Sequence, residues 1–443
     1  MSRRRTIAIG AGVAAASAAL SRRRTSRVPT DPFDPNAVRA ETAAVRTADL
    51  VARPALRRPD LAQTYAPAIA TAVDPLLHGT RYFPRMLDDI AAATDHVHLL
   101  IYGYKPGDIG EAFLTALADK VAAGVEVRLA VDAIGSEVDF GSKDLYRRLL
   151  EAGVQIVAHD GIMVVRSEAL GSRSFRVHGQ DLLHFDHRKM MVVDGRVGYV
   201  GGSGIEDHFN DERFYDVMVR VEGPIVAQLA SLFLVSWCYN GGSSPDDPAL
   251  TRYFPPETLV VAPDAPLRAP ATVLWNVPGT GHHPISDSIE RALEDAAEEI
   301  HIVNPYISNR AILERIHEAA LRGVKVRLIA PGKPTPPYPA AAFRHWYGTL
   351  MDAGVEILLH PDMAHAKVLR IDHQVMIGSC NLDDLSLFRN DELSLLFADP
   401  AVAESTERNI FDPLLEMSTP AVAPTAPKDR AWNAAMDRVS RFL

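Results

Sequence analysis

The sequence predicts an α/β fold built as two tandem copies of one unit. Three observations carry this. The pattern H-x-K-x-x-x-x-D occurs twice, as His187-Arg-Lys189-Met-Met-Val-Val-Asp194 and as His365-Ala-Lys367-Val-Leu-Arg-Ile-Asp372, each followed by a small-residue turn, Gly201-Gly-Ser-Gly204 and Gly378-Ser-Cys-Asn381. Upstream of each motif, Gly124-Val-Glu-Val-Arg-Leu-Ala130 is echoed by Gly323-Val-Lys-Val-Arg-Leu-Ile329. Helix-period and strand-period stretches alternate in the same order in both halves.

In the first half the pattern gives a helix over 81–94, a strand over 97–104 and a helix over 108–123 that Gly124 ends. A strand over 125–131, a helix over 143–152 and a strand over 154–158 follow. The second half repeats this with helices over 287–298, 311–322 and 342–353 and strands over 300–307, 323–329 and 355–359. Composition divides the chain into an N-terminal segment 1–24, a Pro- and Ala-rich linker 25–78 with one or two short helices, a first repeat 79–240, a connector 241–268, a second repeat 269–418 and a tail 419–443 ending in a helix over 432–442. The Pro-rich stretch 331–339 is either a ligand-side loop or a rigid connector.

The apolar, β-branched residues inside each motif read as a buried strand. Alternation puts His187 with Lys189, and His365 with Lys367, on one face, and turns Asp194 and Asp372 away from it. Asp194-Gly195 is a two-residue hairpin signal that pairs Val193 with Arg196 and sets Gly202 opposite His187. A turn near His373 sets His365 opposite Cys380 or Leu382, beside Ser379 and Asn381. Each copy then offers an imidazole, an ammonium and small hydrogen-bond donors, which is half a site for a tetrahedral anion. A third strand in each copy carries one early carboxylate, Asp216 and Glu392. We expect these on a histidine Nδ1–H, fixing the tautomer and leaving Nε2 to react; the alternative is an acidic residue at a strand edge.

On these motifs the chain resembles the phospholipase D superfamily, and within it the bacterial cardiolipin synthases, from about Thr80 to about Ser418. Val200-Gly-Gly202, Gly223-Pro224, Ser236-Trp237, Gly378-Ser-Cys-Asn-Leu382 and Asn390-Asp-Glu392 add to the likeness. The resemblance implies two phospholipase D-like α-β-α sandwich domains related by a pseudo-twofold axis, with one active site between them. It implies a covalent phosphohistidine, no metal and no cofactor. His187 is the implied nucleophile and His365 the general acid and base. Lys189 and Lys367, with Asp194 and Asp372, complete the catalytic motifs, and Ser203, Ser379, Asn381, Asp216 and Glu392 are phosphate-binding or orienting. Two residues depart from the family pattern: Gly204 stands where relatives commonly have Asn, with Ser203 or backbone N–H groups as substitutes, and Leu385 stands where cardiolipin synthases often have Arg.

The chain has 443 residues, 47% hydrophobic, with a net charge of −10. That is an ordinary globular composition, and its acidic balance argues against a nucleic-acid partner. Two cysteines, Cys238 and Cys380, exclude a disulfide framework. Arginines flank an apolar run over 6–20, which reads as an export signal, a weak anchor or a basic membrane-surface tail. Gly10-Ala-Gly12-Val-Ala-Ala15 lacks the flanking strand and acidic residue of a dinucleotide site. His184, His187 and His208 are a conceivable metal cluster, but zinc leaves the lysines and the second copy unexplained. The expected reaction is cleavage or exchange of a phospholipid phosphodiester at a membrane surface, by a synthase if the acceptor is an alcohol and a phospholipase if it is water. The alternatives are a phosphodiesterase acting on nucleic acid, and a retired repeat used for binding.

Overall fold

The computed structural model describes residues 65–138, 141–159, 184–211, 213–245 and 247–440. The N-terminal segment 1–24 and linker residues 25–64 lie outside the described residues.

From Tyr65 onward the expected linker is not a linker. β1 (Ala68–Ala70) and β2 (Ala72–Leu77) are strands, and the single residue between them sends each to a different sheet. Pairing in the fold overrides a composition that reads as loop. Pro75 is tolerated because β2 is an edge strand. The first sheet also holds β3 (His96–Ile101), β4 (Glu126–Asp132), β5 (Gln155–His159), β6 (Lys189–Val193), β7 (Val197–Gly201) and, beyond the two-residue β8 (Phe214–Tyr215), β9 (Val217–Glu222). Its order is β2-β9-β7-β6-β3-β4-β5.

The second half supplies β10 (Ala269–Asn276), β11 (Glu299–Val303), β12 (Lys325–Pro331), β13 (Glu356–His360), the short β14 (Met363–Ala364), β15 (Val368–Ile371), β16 (Gln374–Gly378), β17 (Glu392–Ala398) and β18 (Thr419–Pro420). The order β1-β10-β17-β16-β15-β11-β12-β13-β18 repeats the first sheet strand for strand, with one extra strand at each edge. In both sheets the motif strand, β6 or β15, is antiparallel to the first strand of a parallel trio.

Helices α1 (Gly79–Ala92), α2 (Asp108–Ala122) and α3 (Lys143–Glu151) cover the outer face of the first sheet with apolar stripes that include Tyr82, Phe83, Phe113, Leu117 and Leu149. Between the halves runs α4 (Ile225–Tyr239), whose sequence is apolar on every side. Such a helix must be buried all round. It packs in one core with β9 and β6 from the first sheet and β10 and β17 from the second. Helices α5 (Pro284–Asp295), α6 (Arg310–Leu321) and α7 (Tyr338–Asp352) cover the second sheet. The tail helix α8 (Pro427–Ser440) docks on α7, where Trp346 Nε1 donates to Asp437 Oδ1 at 2.9 Å. The connector is also structured, with Tyr253 and Phe254 buried.

One register expectation fails. Val193 pairs with Val197, so the first hairpin turn has three residues, with Asp194 at φ 51° and Gly195 at φ 61°. The slip of one residue carries His187 opposite Ser203 rather than Gly202. In the second copy Ile371 pairs with Gln374 across Asp372-His373, and the ladder runs on toward Cys380 opposite His365, as expected.

Candidate active site

Each histidine stands just before its motif strand, and each lysine is anchored below it. Lys189 Nζ donates to the His187 carbonyl and Lys367 Nζ to the His365 carbonyl, both at 2.5 Å. The carboxylates cross between the halves. His187 Nδ1 lies 3.0 Å from Glu392 Oε1, and His365 Nδ1 lies 2.7 Å from Asp216 Oδ2. Both carboxylates are fully buried. An Nδ1–H donated to a carboxylate leaves Nε2 with the lone pair.

Backbone bonds hold this exchange together. His187 N donates to Asp391 O at 3.0 Å, and Asp391 N to Phe185 O at 2.9 Å. On the other side β14 pairs with β8 in parallel, and His365 N donates to Tyr215 O at 2.6 Å. Each histidine is thus fixed by the half that does not contain it.

How each carboxylate is seated differs. A Cβ on Gly202 would come within 2.4 Å of Asp216 Oδ1, so glycine there admits the carboxylate. Asp216 Oδ1 accepts from Val217 N at 2.7 Å. At the matching position Ser379 donates its hydroxyl to Glu392 Oε2, and accepts from Leu393 N at 3.0 Å.

Burial sets the charge states. It lowers His365 to about 3 and His187 well below its usual value, with Lys367 and Lys189 adding to both effects. Both imidazoles are therefore neutral at pH 7. Burial brings Lys189 down to about 7 and Lys367 to about 8, against the pull of Glu392 and Asp216. It pushes Glu392 up to about 8, opposed by Lys189, whereas Lys367 and His365 outweigh burial at Asp216 and hold it low. A cluster this desolvated favours an arriving anion, whose charge restores the protonated lysines.

Several sequence-predicted residues lie elsewhere. Asp194 and Asp372 do not join the site, a correction to their place among the catalytic motif residues and in line with their strand parity. Asp194 accepts from the backbone N–H groups of Thr94, Asp95 and His96 at 2.8–2.9 Å, and Asp372 from those of Ala297, Glu298 and Glu299 at 2.9 Å. These bonds outweigh partial burial and hold both carboxyls low. Each aspartate ties its hairpin to the start of β3 or β11. Ser203 is no substitute donor: its hydroxyl donates to the Gly204 carbonyl and accepts from Tyr82, both at 2.9 Å. Ser379 holds Glu392 rather than facing a phosphate. Asn381 is buried, and its Oδ1 has no partner among the described residues. The Cys380 thiol is buried and pushed well above its usual value, so it is no nucleophile.

His184 does not meet His187 and His208. Its Nε2 lies 2.7 Å from Asp391 Oδ2, and its Nδ1 lies 3.2 Å from His159 Nε2. Donor atoms of His159, His184 and Asp391 fall within 4.8 Å of one another. Because His184 bonds through opposite ring nitrogens, the three form a hydrogen-bonded row rather than a chelate. Tyr104 closes the core, and its hydroxyl donates to Gly110 O at 3.0 Å. Asn304 Nδ2 braces the small-residue turn at Cys380 O, 3.3 Å away. Tyr306 stands near the site, its ring 6.5 Å from that of His365.

Sequence reasoning missed the walls. Tyr102 stacks edge-on to His187 at 4.8 Å with Lys189 over its face at 4.8 Å, while Phe209 and Phe214 flank His365. Arg188, the variable residue of the first motif, points to the opposite side of its strand. There it forms a bidentate pair with Asp186 and reaches Ser236 on α4 at 2.9 Å. The strand-end position of Tyr102, one turn of alternation from Tyr104, was the available signal.

A family model described as "Cardiolipin synthase, PLD-like domain" matches residues 86–237 and 289–412, once in each half. Cardiolipin synthase 1 of Bacillus anthracis is 28% identical over 77% of this chain and 66% of its own length. The major cardiolipin synthase ClsA of Bacillus subtilis is 27% identical over 78% of this chain and 69% of its own. The crystal structure of phosphatidylserine synthase from Haemophilus influenzae superposes with a TM-score of 0.62 at 13% identity, covering 90% of this chain and all of that one. Polyphosphate kinase from Porphyromonas gingivalis superposes at 0.51 with 15% identity, over 83% of this chain and 52% of the kinase. The last two show a shared fold, and their names show that the fold alone does not select a substrate. With the family model matching both halves and more than half of its length, the chain belongs to the phospholipase D superfamily and is an enzyme of its cardiolipin synthase, PLD-like kind.

Proposed function

We propose that the chain transfers a phosphatidyl group from one glycerophospholipid to an alcohol, in the manner of a cardiolipin synthase, through a phosphohistidine on His187. The observation that carries this is the pair of crossed His–carboxylate contacts above two buried lysines. His187 Nε2 attacks phosphorus as the bond to the leaving alkoxide breaks. Lys189 and Lys367 offset charge on the phosphoryl oxygens. His365 takes a proton from solvent water as the substrate anion raises its pKa, and passes it to the alkoxide. The incoming alcohol then gives its proton to His365 and attacks the phosphohistidine, freeing His187.

The division into repeats 79–240 and 269–418 serves this reading, since each supplies one histidine and the carboxylate for the other. A lipid substrate also needs an approach from a membrane surface. Tyr338 and Phe388 are exposed large side chains of the second half, and Tyr338 is close enough to Tyr306 to affect its hydroxyl. Among the described residues no helix is long and apolar enough to cross a membrane.

Purified protein incubated with phosphatidylglycerol vesicles, without added metal, tests the proposal by mass spectrometry of the products. Cardiolipin plus glycerol is expected. Phosphatidic acid alone would make it a hydrolase of the same mechanism, and no lipid product would overturn the reading.

A further inference from the structure

The first half lacks a side chain at Gly204, where the second half has Asn381. That space is filled. A Cβ on Gly204 would lie 2.9 Å from Glu206 Oε1, and a Cβ on Gly103 would lie 2.3 Å from the same oxygen. The carboxylate of Glu206 therefore stands over both glycines. Its side chain is only 14% exposed, and Lys105 Nζ at 3.2 Å and His208 Nδ1 at 3.7 Å approach Oε2, leaving Oε1 turned to the glycines. Gly103 follows Tyr102, the wall of His187. His208 packs against Phe214 at 4.6 Å, and Phe214 is a wall of His365. Glu206 thus adjoins the residues next to the walls of both histidines, with Oε1 in the space that a side chain at Gly204 would take.

A carboxylate in that place repels phosphate and cannot stand in for the missing amide as an anion clamp. It accepts hydrogen bonds only, and its natural partner is an O–H group. A polyol carries hydroxyls beyond the one that reacts, whereas water and monohydric alcohols do not.

We propose that Glu206 is a specificity-determining residue whose Oε1 accepts a hydrogen bond from a non-reacting hydroxyl of a polyol, such as the glycerol moiety of a leaving or incoming alcohol. This rests on the transfer reaction proposed above. Gly103 and Gly204 are small because larger residues would displace the carboxylate. Lys105 holds the charge in place without consuming Oε1.

The test is competition between deuterated glycerol and propan-1-ol as acceptors, with the full chain on phosphatidylglycerol vesicles. Glu206→Gln keeps the shape and loses the charge. It is expected to lower the ratio of deuterated phosphatidylglycerol to phosphatidylpropanol about tenfold, the effect of losing one charge-assisted hydrogen bond. The total rate of transfer should change less, and Glu206→Asp should restore part of the ratio. A ratio within about twofold of the parent would overturn the proposal. A second measurement needs no turnover: saturation-transfer NMR of glycerol on the full chain carrying His187→Ala. A glycerol signal that Glu206→Gln abolishes supports the site, and no signal, or one indifferent to Glu206, rejects it. Absence of lipid turnover in the parent chain would instead sink the transfer reaction, and the NMR arm would still decide this one.

Discussion

The two halves build the same histidine–lysine pair yet hold the supporting carboxylate differently. The first half contributes a short Asp216 that reaches its place because Gly202 has no side chain, and the second a longer Glu392 steadied by the Ser379 hydroxyl. Their charge states part accordingly: Asp216 is held low beside Lys367 and His365, while burial carries Glu392 up to about 8. A carboxylate that stays ionised stabilises an imidazolium, as the proton transfer proposed for His365 requires of Asp216. Attack through Nε2 would leave the His187 ring cationic as well, so Glu392 would serve it in the ionised form that the nearby Lys189 favours against burial.

The sharpest way to break that comparison is to remove each imidazole. His187→Ala and His365→Ala should each lower turnover at least about 10⁴-fold without unfolding the chain. They should differ in the intermediate: rapid quench with a ³²P-labelled donor should trap label on the His365 variant and none on the His187 variant. Label in the opposite pattern would exchange the two roles. Next, Asp216→Asn and Glu392→Gln should each cost about 10²–10⁴ in rate, and Glu392→Gln should add little to His187→Ala because the two act as a unit. Additive losses would show that the crossed contacts do not matter.

A smaller effect concerns pH. The folded pKa of His365, about 3, lies below its unfolded value of about 6.5, so the unfolded chain takes up the proton first as pH falls. The stability this group supplies is complete above about pH 6.5 and is lost toward pH 3. Denaturant midpoints at pH 7.5 and 5 should differ by about 2 kcal/mol from this source, and His365→Gln should flatten the difference. An unchanged slope would place the titration elsewhere. Asp194→Ala and Asp372→Ala should each cost about 1–3 kcal/mol in unfolding free energy by orphaning backbone N–H groups, with the turnover of folded protein retained. A selective loss of turnover would return them to the site. Cys380→Ala should be nearly silent in both activity and thermal melting.

The repeat, the element order and both His–Lys pairs were legible because strand parity and a doubled motif are local signals. The helices and strands of each half fall within a few residues of their expected ranges. What was not legible depended on contacts between distant segments. The crossing of Asp216 and Glu392 cannot be read from either strand alone, since it is set by how the halves meet. The register at His187 slipped because the first hairpin turn holds three residues, Asp194 to Arg196, where the second holds two. Residues 68–77 read as linker because their pairing partners, β9 and β10, lie more than a hundred residues away. Asp194 and Asp372 follow strand parity, which turns them to the backbone before β3 and β11, although the motif spacing groups them with the histidines.

The crossed carboxylates also bear on ancestry and on dissection. A histidine that depends on the other half's acid has no competent form in a lone repeat, however well that repeat folds. Two identical single repeats meeting face to face would satisfy the same geometry, so fusion of a dimeric precursor requires no change in chemistry. Severing the covalent link between the halves need not end catalysis, provided the fragments reassemble. The active unit is the encounter of two halves rather than the continuity of one polypeptide.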